Sequence, residues 1–290
     1  MAVSAHGLRL ELNELPVERP TEHSSADLAM DTTGIGTVWP AAHLLCEYMR
    51  KHAHLLCGKR VMEFGAGAGL PGLLAARLGA AHVLITDAHP LVCDQLRHNA
   101  RLNGLASRVS VAELTWPSAA QDAGATPLLI GADLVASERA ARALACTVAA
   151  QLDRGGGVFL YAHAERRAIY RAADGSVVTE PTDGALDALR EALTSRAPNI
   201  MGAPYAFRQL GAVTADAVAA GLESATAASD DDRCAAVTMR EPRHADAPPA
   251  PPEHCPGPEA GPPEASERLR LLLFACGPAD ATEAVPLLRY

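Results

Sequence analysis

Three glycines crowd into one turn of this chain. The segment VMEFGAGAGLPG sets Gly65, Gly67 and Gly69 between a short apolar run and a helical pattern, with Glu63 two residues ahead of the first glycine. Glycine lets a backbone come close to a ligand, and a carboxylate at such a point can face a cation. Tight strand-to-helix turns also use glycine for steric reasons alone. A dinucleotide fingerprint, GxGxxG, needs a third glycine at position 70, where Leu70 stands, which argues against a nicotinamide cofactor. Asp87 closes the next apolar run, 22 residues beyond Gly65. An acidic side chain there can accept hydrogen bonds from both hydroxyls of an adenosine ribose, and it can also cap the helix that follows. Trp39 and Trp116 are the only tryptophans, and both fall beside expected strand ends. A flat indole suits packing on a purine or near a sulfonium, and equally suits a core.

The elements that must position these residues alternate. Strand-length apolar runs occupy 59–64, 82–87, 108–114, 128–135 and 155–163, and RLRLLLFAC at 268–276 supplies one more. Helical periodicity covers 41–56 behind Pro40, 70–79 with Pro71 near its start, 89–104 ending at Gly104, and 137–152. Strands alternating with helices in units of roughly 30 residues imply βαβ crossovers and a mostly parallel sheet covered on both faces. The expected fold class is therefore α/β, doubly wound. Ligands of such sheets bind beyond the carboxyl ends of the strands, where the strand order reverses.

Composition narrows the function classes. The chain has 290 residues, 49% hydrophobic and 20% charged, with a formal charge of −9. No stretch approaches the roughly 20 unbroken apolar residues of a membrane span, and the start lacks a basic segment followed by an apolar one. The seven cysteines are an odd set without a CxxC pair, so a reducing compartment is expected: the cytoplasm, with the nucleus also open to the chain. Lys51 and Lys59 are the only lysines among 25 basic residues. That skew reads as base composition and not as a nucleic-acid surface. The histidines have no ligand spacing, so no metal site is expected. Between 223 and 266, nine acidic and three basic residues accompany nine prolines, a net −6 that leaves −3 for the rest. Such sequence cannot bury enough apolar surface to offset its ordering entropy, and it reads as an insertion. The expected organisation is an extension over 1–33, a core over 34–222, the insertion, and a final strand with a tail over 267–290.

Five motifs in order carry a resemblance: TGIGTVWPAAHLLCEYM, GKRVMEFGAGAGLPGLLAARLGAAHVLITD, NARLNG, VAELTW and GADLV. Across about residues 34–165 the chain resembles the seven-β-strand methyltransferases related to the lysine methyltransferases of elongation factors and heat-shock chaperones. The resemblance implies a seven-stranded Rossmann-like methyltransferase sheet, S-adenosylmethionine as cofactor, and a protein amine, lysine foremost, as acceptor. A monomer with no nucleic-acid or membrane partner is expected. Trp39 resembles the tryptophan that closes over the cofactor. Gly65, Ala66 and Gly67 resemble the turn under its methionine part, with Glu63 ahead of them. Asp87 resembles the ribose carboxylate, Trp116 the residue flanking adenine, and Ala132 the small residue beside the cofactor. Asp133 resembles the acid close to the reacting amine; a helix cap, or a partner to a neighbouring side chain behind the site, is the plainer role for it. Ala136 stands where the family often has tyrosine, and Pro117 where it has glycine. Tyr161, His163, Glu165 and Arg166 share the same sheet edge. A small-molecule N-methyltransferase and a cofactor-binding protein without catalysis stay open as alternatives.

Overall fold

The computed structural model describes residues 2–5, 8–13, 38–117, 126, 128–155, 157–172, 175–195, 205–219 and 269–288. Its elements, in chain order, are β1 (Ala2–Ala5), β2 (Leu8–Glu11), α1 (Pro40–Lys51), β3 (Arg60–Phe64), α2 (Leu70–Arg77) and β4 (His82–Asp87). Then come α3 (Pro90–Leu102), β5 (Val109–Glu113), β6 (Leu128–Ala132), α4 (Glu138–Gly155), β7 (Val158–Ala164), β8 (Ile169–Arg171) and β9 (Val177–Thr179). The last are α5 (Gly184–Thr194), β10 (Tyr205–Thr214), β11 (Arg270–Pro278) and α6 (Ala279–Glu283). The insertion expected over 223–266 lies outside the described residues.

Seven strands form one sheet in the order β10-β11-β7-β6-β3-β4-β5. β5, β4, β3, β6 and β7 run parallel, while β11 runs antiparallel to both its neighbours. The chain moves outward from β3 to β4 and β5, then returns to lay β6 on the other side of β3. That reversal puts a crevice at the carboxyl ends of β3 and β6, where doubly wound sheets bind ligands. The doubly wound α/β expectation is met.

Alternation along each strand makes two cores. Val61 faces one side with Val83, Ile85, Ile130 and Leu160, under Leu44 and Leu45 of α1, Leu73 of α2 and Leu96 of α3. Met62 and Phe64 face the other with Leu129, Phe159 and Tyr161, under Leu144 and Val148 of α4 and Leu189 of α5. Both faces are buried, so these strands read as unbroken apolar runs.

Several boundaries differ from the periodicity for identifiable reasons. The expected helix 41–56 stops at Lys51 and continues as a short 3-10 turn, Ala53–Leu55. The expected strand 128–135 ends at Ala132, because Asp133 takes a φ of 55° that no strand accommodates. Part of the 1–33 extension is a hairpin, β1 with β2, with Leu10 and Leu12 buried. The motif NARLNG docks it. Asn103 accepts from the Glu11 N–H at 2.8 Å and donates to the Glu11 carbonyl at 2.6 Å; Asn99 does the same for Asn13 at 2.9 and 3.2 Å. Two side-chain amides four residues apart on α3 thus act as a surrogate strand edge.

Candidate active site

The glycine turn leaves β3 through three left-handed residues: Gly65, Gly67 and Gly69 have φ of 54°, 52° and 84°. The first also needs glycine for space. A Cβ on Gly65 would stand 2.8 Å from Cδ2 of Leu134 and 3.4 Å from Cη2 of Trp116. The turn is fixed by its neighbour strand: the Ala66 N–H donates to the Thr86 carbonyl at 3.0 Å, and the Gly67 N–H donates to Oδ2 of Asp87 at 3.1 Å.

Asp87 ends β4, and its other oxygen, Oδ1, accepts from the His89 N–H at 3.0 Å. It is not the helix cap. His89 is, its ring nitrogen accepting from the Leu91 N–H. Each carboxylate oxygen of Asp87 therefore holds one backbone donor and keeps lone-pair capacity for another. The chain after β5 returns to the same place: the Leu114 N–H donates to the Asp87 carbonyl, and Trp116 two residues on lies against Gly65. Its Nε1 is buried and, among the described residues, meets no acceptor.

Glu63 does not face the crevice. It is 2% exposed and turns under α2, where Oε2 accepts from the Gly72 N–H at 3.0 Å, an end-of-helix donor that the glycine N-cap cannot satisfy. Burial pushes its carboxyl well above the ordinary range, the nearby Asp87 charge adds to this, and only the Gly72 N–H opposes it. The sequence expectation of a carboxylate offered to a cation gives way to a buried carboxyl bracing the turn from below. Trp39 is the N-cap residue of α1 and 43% exposed. Because α1 leads directly towards the start of β3, its own beginning lies towards the carboxyl edge.

Across the crevice, Ala132 closes β6 and Asp133 follows in the left-handed region, a conformation that burdens a residue bearing a Cβ by roughly 1–3 kcal/mol. Its carboxylate, 2% exposed, is forked by Arg166: Nη1 to Oδ1 at 2.6 Å and Nη2 to Oδ2 at 2.5 Å. The Asp133 N–H donates to the Ala162 carbonyl at 2.8 Å. The fork raises the Arg166 pKa, against the opposing effect of its partial burial. So Asp133 is engaged by the chain itself and not offered freely to an incoming amine.

Beside the fork lies a buried polar chain. The Tyr161 hydroxyl meets Nδ1 of His163 at 2.8 Å, and Nε2 of His163 meets Oδ2 of Asp183 at 2.9 Å. Burial drives the Tyr161 phenol upward and keeps it protonated. Burial also works against the Asp183 carboxylate, but hydrogen bonds from His163, Leu186 and Arg166 prevail and hold its pKa at about 2. Asp183 was not singled out from the sequence. The signal was present: an aspartate before Gly184 and a helical run is an N-cap, and here its Oδ1 accepts from the Leu186 N–H at 3.0 Å.

A model of a family described as lysine methyltransferases matches residues 26–174. The chain belongs to that family. Among relatives, the lysine methyltransferase fold region is 37% identical over 153 residues to the protein N-lysine methyltransferase METTL21A of Danio rerio, covering 47% of this chain and 69% of the relative. It is 38% identical over 101 residues to the histone-arginine methyltransferase METTL23 of Mus musculus, covering 33% of this chain and 40% of that one. The protein-lysine N-methyltransferase EEF2KMT of Homo sapiens is 36% identical over 105 residues, 32% of each chain. The chain thus spans less than half of two of these three relatives. The matched stretch holds the glycine turn, Asp87, Trp116, Asp133, His163 and Arg166; Asp183 and β11 lie beyond it.

Proposed function

We propose that this chain is an S-adenosylmethionine-dependent methyltransferase whose acceptor is a side-chain amine of a protein, lysine first. The observation that carries the cofactor half is Asp87. It braces the glycine turn with one oxygen and the start of α3 with the other, and each oxygen retains capacity for a ribose hydroxyl. Trp116 supports it, with a buried N–H that meets no acceptor among the described residues and a ring lying against Gly65, as a wall for adenine requires. On this reading Gly65, Ala66 and Gly67 approach the methionine part, Ala132 leaves room beside it, and Trp39 covers it from the amino-terminal side. Glu63 contributes from beneath, by holding α2. The bound cofactor supplies a methyl group on a sulfonium with an excellent leaving group, so the protein has to align the acceptor and exclude water.

The acceptor half rests on the family and on the Asp133–Arg166 fork beside Ala132. A lysine amine with a free pKa of about 10.4 must arrive without its extra proton. A fork that already balances charge gives a cationic amine little reason to stay protonated, and Asp133, 2% exposed on its side chain, shapes the acceptor wall through Arg166 without touching the amine. The same fork favours a second reading, a cofactor-binding protein that transfers nothing, since Arg166 holds both oxygens. Incubation with methyl-labelled cofactor and a cell extract separates them. Label in protein supports the proposal; label confined to small molecules, or bound cofactor without transfer, rejects it.

A further inference from the structure

An N-cap carboxylate has one structural task, yet Asp183 carries three donors. Oδ1 takes the Leu186 N–H, while Oδ2 takes Nε2 of His163 at 2.9 Å and the Arg166 N–H at 2.6 Å, from residues 20 and 17 positions earlier. Asp183 is 4% exposed and His163 and Tyr161 are 0% exposed, so none of them can touch an acceptor. Both branches nevertheless end on the turn after β6. Through its backbone, Arg166 is placed by Asp183; through its guanidinium, it forks the left-handed Asp133. Through His163, whose Nδ1 lies 3.9 Å from Oδ1 of Asp133, Asp183 fixes the Tyr161 hydroxyl on the β7 residue paired with Gly131 of β6, just ahead of the turn. Leu134 of that turn packs against Gly65 on the cofactor side of the crevice.

We infer that Asp183 and His163 are positioning residues for methyl transfer: they hold the Ala132–Val135 turn, Asp183 through Arg166 and His163 through Tyr161. This rests on the methyltransferase reading above. Persistence of a left-handed aspartate requires surroundings that over-determine it; to the Asp133 N–H bond with the Ala162 carbonyl and the Ala164 N–H on Oδ1, these two branches add side-chain contacts. A plain cap would serve α5 and nothing else.

Asp183→Ser separates the two roles, because serine still caps a helix but cannot also hold His163 and Arg166. Amide hydrogen exchange, cofactor-product binding and steady-state kinetics are measured on the full chain. The expected variant is folded by near-ultraviolet circular dichroism and binds S-adenosylhomocysteine as the wild type does. Exchange at Leu134 and Val135 is expected to rise about tenfold or more. Its kcat is expected to fall on the order of 10- to 100-fold with an unchanged KM for S-adenosylmethionine. Added to Arg166→Ala, it should lower kcat little further, the non-additivity of residues acting in series. Should Asp183→Ser fail to fold, His163→Gln, which leaves the cap intact, carries the same exchange readout. Unchanged exchange in the turn together with full kcat in a folded variant overturns the inference. If the wild type itself transfers no methyl group, the methyltransferase reading falls, while the exchange comparison still decides whether the network holds the turn.

Discussion

The two walls of the crevice are built by different means. On the β3–β4 side the geometry is made by backbone: three left-handed glycines, two N–H donors and one carboxylate that collects from both strands' ends. On the β6–β7 side it is made by side chains, with Arg166, Asp133, Tyr161, His163 and Asp183 drawn from positions up to 50 residues apart. A backbone cradle suits a ligand whose shape never varies. A side-chain network suits a wall that must fit one particular acceptor, because its members come from separate segments and can vary without altering the glycine turn across the crevice. Cofactor grip and acceptor handling should therefore be separable by mutation.

The strongest test of that separation is Gly65→Val. A Cβ there would meet Leu134 at 2.8 Å in a left-handed backbone, and a branched side chain would fill the cradle. Loss of S-adenosylhomocysteine affinity by about 100-fold or more is expected by calorimetry, as steric exclusion combines with strain. Asp87→Asn comes next: with two charge-assisted bonds weakened at about 1.5–3 kcal/mol each when lost outright, affinity should fall roughly 10- to 100-fold. Arg166→Ala sharpens the comparison from the other wall. It leaves Asp133 buried and unpaired, so kcat should fall about tenfold or more, while S-adenosylhomocysteine binds as before. Because Arg166 is 43% exposed on its side chain, the stability loss should be only about 1–2 kcal/mol.

Two smaller effects follow from charge. The Asp183 pKa is depressed from its usual 3.8 to about 2, so its contribution is complete above pH 4 and disappears as pH falls through 2. That contribution is about 2 kcal/mol, and Asp183→Ser should lack this acid-dependent component in urea melts across pH 2 to 5. Glu63 has the opposite sign. Its folded pKa is raised, so the stability it supplies is present below its unfolded value of 4.5 and lost as pH rises through the folded one. Glu63→Gln keeps an acceptor for the Gly72 N–H and should match the wild type at pH 4. At alkaline pH it should exceed the wild type by about 1 kcal/mol, as one buried charge is avoided.

The legibility of the two walls differed for the same reason their construction does. Glycine spacing and the position of Asp87 are local, so β3, β4 and the turn between them could be read from short stretches of chain. That these strands lie mostly parallel followed from their alternation with helices; their order did not. Glu63 was misread because a carboxylate beside a glycine turn can face outward or downward, and only the packing of α2 decides. The role of NARLNG as a docking edge for β2 depends on residues more than 80 positions away. Asp183 carried a clear local signal, the cap of α5, that concealed its contacts to His163 and Arg166. Hydrogen bonds between distant side chains leave no period in a sequence.

The claim that the β3–β4 wall is a cofactor cradle is tested most directly by titrating the wild-type chain and Asp87→Ala with S-adenosylhomocysteine in a calorimeter. The expected result is one-to-one binding by the wild type with a Kd of about micromolar order and no measurable heat for Asp87→Ala in its folded form. No binding by the wild type, or equal binding by both chains, would contradict it.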